Sequence, residues 1–306
     1  MSDPDPRQTR DRTPIEVEPP VLGRFAIWIE RSRLFRTSVD AARSRHSSID
    51  LGLTIVERDA SIGGGLLAGA LAYRLFVLLL PVALLFVSGI GLYADAADKS
   101  ADRVAKDAGL QGLIASQVAS TASGGARWIV FMVMLPAVLY ALAKLYRAIA
   151  VTHAIAWHGS GRGVRVTGRG LAAVGAALLA NVAAAEAVGW IRRQNGLGGL
   201  SALLVYLVVV GGAWLIVSIE LPRRETTWSD LLPGALLLGG GLLFVNVFNV
   251  YVTTRLVEGR ADTYGALGIA AALLFSLVLV GRLIVLSAEL NAALDERRAG
   301  RRRPSA

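Results

Sequence analysis

The residues able to do chemistry are few. Cysteine is absent, which excludes disulfides, thiolate nucleophiles and cysteine-ligated metals. The three histidines, His46, His153 and His158, include no pair at i, i+4, and neither HExxH nor HxHxDH occurs, so a hydrolytic zinc site has no visible ligands. No GxxxxGK[ST] loop is present, so no P-loop and no direct ATP hydrolysis are expected. Gly63-Gly64-Gly65 precedes an apolar run, but no strand leads into it, and a phosphate cradle needs that context. Gly65 and Gly69 form instead a GxxxG pair of the kind that lets helices approach closely in lipid. The expectation is a protein with no cofactor, no metal, no nucleic-acid partner and no enzymatic activity.

Charge in apolar surroundings is the remaining chemical signal. Arg74, Glu186 and Arg282 lie inside apolar runs, and Glu220 and Glu289 lie near run ends. An unpaired charge at the bilayer centre costs about 2.5–3.5 kcal/mol even on a lenient scale, so such residues usually face the interior of a bundle. With the N-terminus inside, Arg74 and Arg282 each stand eight residues above the inner end of their run. At 1.5 Å per residue that is a matching depth of about 12 Å. Arg282 and Glu289 are seven apart and so share a helix face. Asn181, Asn246 and Asn249 are polar residues in spans, suited to interhelical hydrogen bonds or to lining a polar path. The candidate residues are therefore Arg74, Arg282, Glu289, Glu186, Asn246 and Asn249. Two readings stay open: ion pairs that fix helix registry, with Arg snorkelling to the surface, or a basic pocket for an anionic group.

These residues need helices to hold them. The chain has 306 residues, 54% of them hydrophobic, and a mean hydropathy of +0.53. Six apolar runs carry the excess: Leu66–Leu92, Trp128–Ala143, Leu171–Ile191, Leu200–Leu221, Leu231–Val252 and Ala266–Leu290. A spanning helix takes about 20 predominantly apolar residues. Five runs clear that length, and the second is cut short at Lys144. Pro81 and Pro136 are each expected to kink their helix. The fold class is thus all-α, a polytopic membrane bundle of about six transmembrane helices.

Net charge is +9, from 32 Lys and Arg against 23 Asp and Glu. With both termini in the cytoplasm, 21 of the 32 basic residues fall on inner segments and 8 on outer ones, the bias that cytoplasmic loops show. The Tyr93–Arg127 loop is then the one sizeable outer segment, with an amphipathic stretch of its own. Residues 1–20 hold five prolines among charges and read as a disordered cytoplasmic tail without a cleavable signal peptide. Residues 21–58 form an arm in which Leu22, Phe25, Trp28 and Ile29 recur at helical spacing among arginines, as in a basic helix on anionic headgroups or an ordinary solvated helix. Residues 59–294 make the membrane domain and 295–306 a basic tail.

Certain strings resemble those of a known family. Ala68-Gly69-Ala70-Leu71-Ala72-Tyr73-Arg74-Leu75-Phe76 with Leu80-Pro81 resembles the opening membrane helix of the YihY/virulence factor BrkB family. Leu232-Pro233-Gly234-Ala235 is similar to that family's fifth helix start, and Thr263-Tyr264-Gly265-Ala266-Leu267-Gly268 to its turn before the last span. Ser287-Ala288-Glu289-Leu290-Asn291-Ala292 resembles its closing motif, with Ser287 where glycine is usual. Tyr146-Arg147-Ala148-Ile149-Ala150-Val151 departs from the polar Asn-containing end of the second span that many members carry. The resemblance covers about residues 59–294.

It implies a multi-pass protein of the bacterial inner membrane, linked to envelope integrity, with transport of lipid or envelope precursors as the suspected role. An older family label, ribonuclease BN, finds no metal ligands here to support it. The leading expectation is a transporter or flippase-like protein for an envelope lipid or other anionic amphiphile. Arg74 and Arg282 would attract the anionic group and Glu289 would balance them, with membrane lipids as partners. The rival is a non-transporting envelope-integrity scaffold in which the same charges are structural.

Overall fold

The computed structural model describes residues 47–98, 100, 103–104, 127–194, 198–248 and 254–302. The proposed tail 1–20, the arm helix 21–46 and most of the Tyr93–Arg127 loop lie outside them. The chain divides into a unit Met1–Leu53 and a unit Thr54–Ala306, and the site lies in the second.

Seven helices are described: α1 Ser47–Ile62, α2 Gly64–Ala96, α3 Arg127–His158, α4 Gly168–Gln194, α5 Gly198–Glu220, α6 Trp228–Phe248 and α7 Thr254–Arg302. Among the described residues there is no strand. Helices α2 to α7 each contain a segment long and apolar enough to cross a membrane. Six spans and an all-α class were the expectation, and this is the architecture found.

Two boundaries differ from the sequence reading. Lys144 does not end the second span: α3 continues to His158 and buries Leu145, Tyr146, Ile149, Ala150, Ala154, Ala156 and Trp157 on the way. Small and aromatic residues after Lys144 have a packed partner surface that hydropathy alone does not register. The expected turn at Thr263–Gly268 is also absent, because the backbone of α7 is helical from Thr254 to Arg302.

Helix ends follow local chemistry. Gly63 adopts φ 68, ψ 42 between α1 and α2, a left-handed conformation that glycine takes without steric cost. Its carbonyl accepts the first α2 donors, from Leu66 N at 2.9 Å and Leu67 N at 3.1 Å. Gly159, at φ 68, closes α3 by donating to the Ile155 carbonyl at 2.9 Å. Thr167 caps α4, its Oγ1 accepting from Gly170 N at 3.1 Å. At α6, Thr227 N donates to Asp230 Oδ2 at 3.0 Å and Asp230 N returns a bond to the Thr227 carbonyl at 3.1 Å, a reciprocal cap.

Consecutive spans pack as neighbours, α3 on α4, α4 on α5 and α5 on α6, and α7 closes the bundle against α2, α3 and α6. The main core joins Leu71, Leu75, Leu145, Ile149, Val210, Trp214, Leu238 and Val285. The outer surface carries Leu80, Ile129, Tyr140, Leu179, Val208 and Phe244, each more than 60% exposed. For six long helices that apolar surface is what lipid would cover.

Candidate functional site

Charged side chains gather at one end of the bundle. Helix alternation brings together the end of α1, the starts of α2 and α6, and the ends of α3, α5 and α7. The last turn of α1 supplies Arg58 and Asp59. Arg58 donates to both oxygens of Glu296 on α7, at 2.9 and 3.2 Å, and to the Ala156 carbonyl on α3. One guanidinium thus ties α1 to two spans.

Asp59 takes the guanidinium of Arg282. Nη1 donates to Oδ1 and Nη2 to Oδ2, both at 2.6 Å, the parallel two-bond geometry that makes Arg–carboxylate pairs strong. The Asp59 side chain is 15% exposed and that of Arg282 36%. Gly64 makes room for the pair: a Cβ there would overlap the Asp59 carboxyl and stand 3.1 Å from Arg282 Nη1. Glu289, seven residues along α7, is fully buried. Its carboxyl lies in the electrostatic field of Asp59, Arg282 and Arg58. Neither of its oxygens has a hydrogen-bond partner among the described residues.

Around this centre runs a basic rim. Arg224 approaches Glu296 at 4.0 Å, and Arg298 binds Asp230 at the α6 cap. Arg223 caps the end of α5 through the carbonyls of Ser218, at 3.4 Å, and Ile219. An open groove of about 680 Å³ follows the loop Leu221–Thr227. Inside the bundle, Trp157 Nε1 and Ser218 Oγ are buried without hydrogen-bond partners, and His153 stands edge-on to Trp214 with centroids 6.1 Å apart. Among the described residues, no three His, Asp or Glu side chains gather as metal ligands.

The expected site residues fare differently from one another. Arg282 and Glu289 do share one region. Arg74 is not with them: it is exposed, its guanidinium 5.8 Å from the Tyr73 ring centroid. The matching depth is also not found. Gly281 abuts the Ala68 carbonyl, so Arg74, six residues further along α2, is displaced from the Gly281 level by about 9 Å at 1.5 Å per residue, and Arg282 lies one residue further the other way. Glu289 is not the direct counter-ion of Arg282, because Asp59 holds both nitrogens.

Glu186 is exposed on α4. Asn246 meets the Tyr206 hydroxyl, which also donates to Asn181 Oδ1 at 2.8 Å, so these three make an interhelical polar contact. Asn249 lies outside the described residues. Gly65 and Gly69 are exposed with open space beside them, so the GxxxG pair packs against no helix among the described residues. Sequence reasoning missed Asp59. Its signal was an acidic residue just before the glycine run that breaks the helix.

Two strings distant in the sequence meet beside this site. Asn291 Oδ1 accepts from Gly234 N at 2.8 Å and Asn291 Nδ2 donates to the Leu231 carbonyl at 3.2 Å. Both strings fall in the region, residues 57–306, that matches the profile of virulence factor BrkB. The chain belongs to the virulence factor BrkB family. All the charged residues of the site, Arg58 to Arg298, lie in the BrkB-matching region. No curated protein matches the chain, and no solved structure does. The family and the six apolar helices together make this a multi-pass integral membrane protein.

Proposed function

We propose that this protein carries an envelope lipid or another anionic amphiphile across the bacterial inner membrane, acting as a carrier rather than an enzyme. The observation that supports it is the basic end of the bundle. Arg282 is recruited from within a spanning helix and is only partly covered, and Arg58, Arg223, Arg224 and Arg298 surround it. Several of their carboxylate and carbonyl partners are exposed, and such pairs contribute only about 0–1 kcal/mol. A phosphate group can displace them at little cost. The test is reconstitution of the full chain in vesicles carrying a labelled anionic phospholipid, with movement between leaflets read by quenching of the outer label. Movement above that of protein-free vesicles, reduced by Arg282→Gln, is the expected result. Equal rates with and without protein would overturn the reading.

A non-transporting scaffold of the envelope is the second reading, and one observation favours it. Arg282 is already satisfied by Asp59 through two short bonds, as a structural ion pair would be. Wild-type envelope resistance in cells expressing a stable Arg282→Gln/Asp59→Asn variant would favour it over transport.

A further inference from the structure

The loop between α5 and α6 gathers hydrogen-bond donors that the protein does not use. Residues Leu221–Thr227 line an open groove of about 680 Å³. Arg223 spends Nη1 on the Ser218 and Ile219 carbonyls, and its other nitrogens bond to nothing among the described residues. Arg224 approaches Glu296 only at 4.0 Å, beyond hydrogen-bond distance, and its side chain is half-exposed. Thr226 adds a third donor, because its Oγ1 is buried without a partner among the described residues. A buried hydroxyl normally finds a partner, and one that does not calls for a missing acceptor.

The acids nearby are spent or turned to solvent. Asp230 takes Thr227 N and Oγ1 in the α6 cap and also holds Arg298. Glu296 is bonded by Arg58. Glu225 is the one acid in the groove lining, and it is exposed. The place of the groove says what kind of acceptor fits. Its loop joins two helices long enough to span, so it stands where the apolar core of a membrane ends. Trp228 opens α6 beside it and is exposed, as aromatic residues are at a headgroup boundary. An anion with several oxygens, at headgroup depth, matches two guanidinium groups and a hydroxyl.

We infer that the groove along Leu221–Thr227 is a binding site for a phosphoryl group, held by Arg223, Arg224 and the Thr226 hydroxyl. As the place where a carried lipid docks it rests on the transport reading above; as a phosphoryl site it stands alone. Arg224 leaves Glu296 at little cost, since that contact is long and exposed. Arg223 offers the nitrogens that the end of α5 does not use, so it can hold the anion and the helix end together. A phospholipid head group and free phosphate present the same oxygens, and the experiment separates them.

The experiment is calorimetric titration of the full chain in a maltoside detergent, which carries no phosphate. The probes are dihexanoyl phosphatidic acid, inorganic phosphate and dihexanoyl glycerol. Wild type should bind at least one phosphoryl probe and not the glycerol. Binding of the phospholipid alone assigns the site to head groups, and binding of inorganic phosphate assigns it to the phosphoryl group itself; either supports the site. Arg224→Gln and Thr226→Val should each weaken the affinity about tenfold, the share of one hydrogen bond to an anion. Neither should melt lower without ligand, because the hydroxyl has no partner to lose and the Arg224 contact is exposed. Each carries the test should the other fail to fold. Arg74→Gln removes the same charge outside the groove and should bind as wild type does. No affinity for either phosphoryl probe, or equal affinity for the glycerol, overturns the proposal. So does wild-type affinity in a folded groove variant, or an equal loss in Arg74→Gln. Failure of labelled lipid to move between leaflets with this binding intact would remove the transport reading and leave the phosphoryl site standing.

Discussion

Asn291 on α7 repairs the backbone of α6 at Gly234, the residue after its proline. Pro233 has no N–H and disrupts the helical ladder around it. Gly234 N finds its acceptor instead in Asn291 Oδ1, at 2.8 Å, and Asn291 Nδ2 returns a bond to the Leu231 carbonyl. Gly234 is glycine because a Cβ there would collide with the Ser287 carbonyl. Asn291 is 1% exposed, so water cannot substitute for it. Asn291→Ala should therefore lower stability by about 1–3 kcal/mol, the cost of stranding a buried donor. Asn291→Asp, which keeps the acceptor for Gly234, should recover part of the loss if the acid is neutral. Melting in detergent, followed by tryptophan fluorescence, measures both.

Gly64 and Gly65 are adjacent in sequence but should respond in opposite ways to a methyl group. At Gly64 the new Cβ meets the Asp59 carboxyl and Arg282, both held by the pair they form. At Gly65 it meets nothing within 4 Å. Gly64→Ala should loosen the α1 junction, seen as faster protease cleavage near Ile62. Gly65→Ala should be neutral or slightly stabilising, by up to about 1 kcal/mol, since alanine is the better helix former. Equal sensitivity at both positions would contradict the packing described.

The parts of the fold that depend on average hydropathy were legible in the sequence. Six apolar runs gave six spans, because a bilayer demands length and apolarity and little else. What the sequence left hidden depends on which way a residue faces. Arg74 and Arg282 both sit in apolar runs, yet one is exposed and the other meets Asp59. The GxxxG pair had the right spacing for close packing, but no helix among the described residues comes to it. Asp59 was hidden because it belongs to α1, outside the spans where an intramembrane charge was sought. The link from Asn291 to Gly234 joins positions 57 apart, a separation at which no local pattern operates.

The structure brings the end of α1 and the end of α7 to the same end of the bundle, through Arg58 and Glu296. Which membrane face that end occupies is a separate matter, set by the basic residues of the flanking segments. Arg297, Arg298, Arg301, Arg302 and Arg303 close the chain, and arginines crowd the residues before α1. That bias predicts a cytoplasmic location. Alkaline phosphatase fused after Arg303 should be inactive in cells, and the same reporter inserted near Ser100 should be active. The opposite pattern would invert the topology.

Arg74 and Arg282 give the sharpest contrast between an outward and an inward charge. Arg74 is exposed and bonds to no carboxylate among the described ion pairs; the Tyr73 ring lies beside it. Its long side chain can carry the guanidinium toward the headgroups. Arg74→Gln removes a charge without stranding a partner, so melting should be unchanged or rise slightly. Arg282→Gln strands Asp59, which is 15% exposed, and removes two charge-assisted bonds. The expected loss is on the order of 1–3 kcal/mol, less than for a fully buried pair because Arg282 keeps some access to solvent. Adding Asp59→Asn to Arg282→Gln should recover part of that loss, because the amide needs no counter-ion. The same addition to Arg74→Gln should instead lower stability, since Arg282 would then be the unpaired group. Thermal melting of the two single and two double variants decides it. Recovery by Asp59→Asn in the Arg74 background, or none in the Arg282 background, would show that the pair is not the contact described.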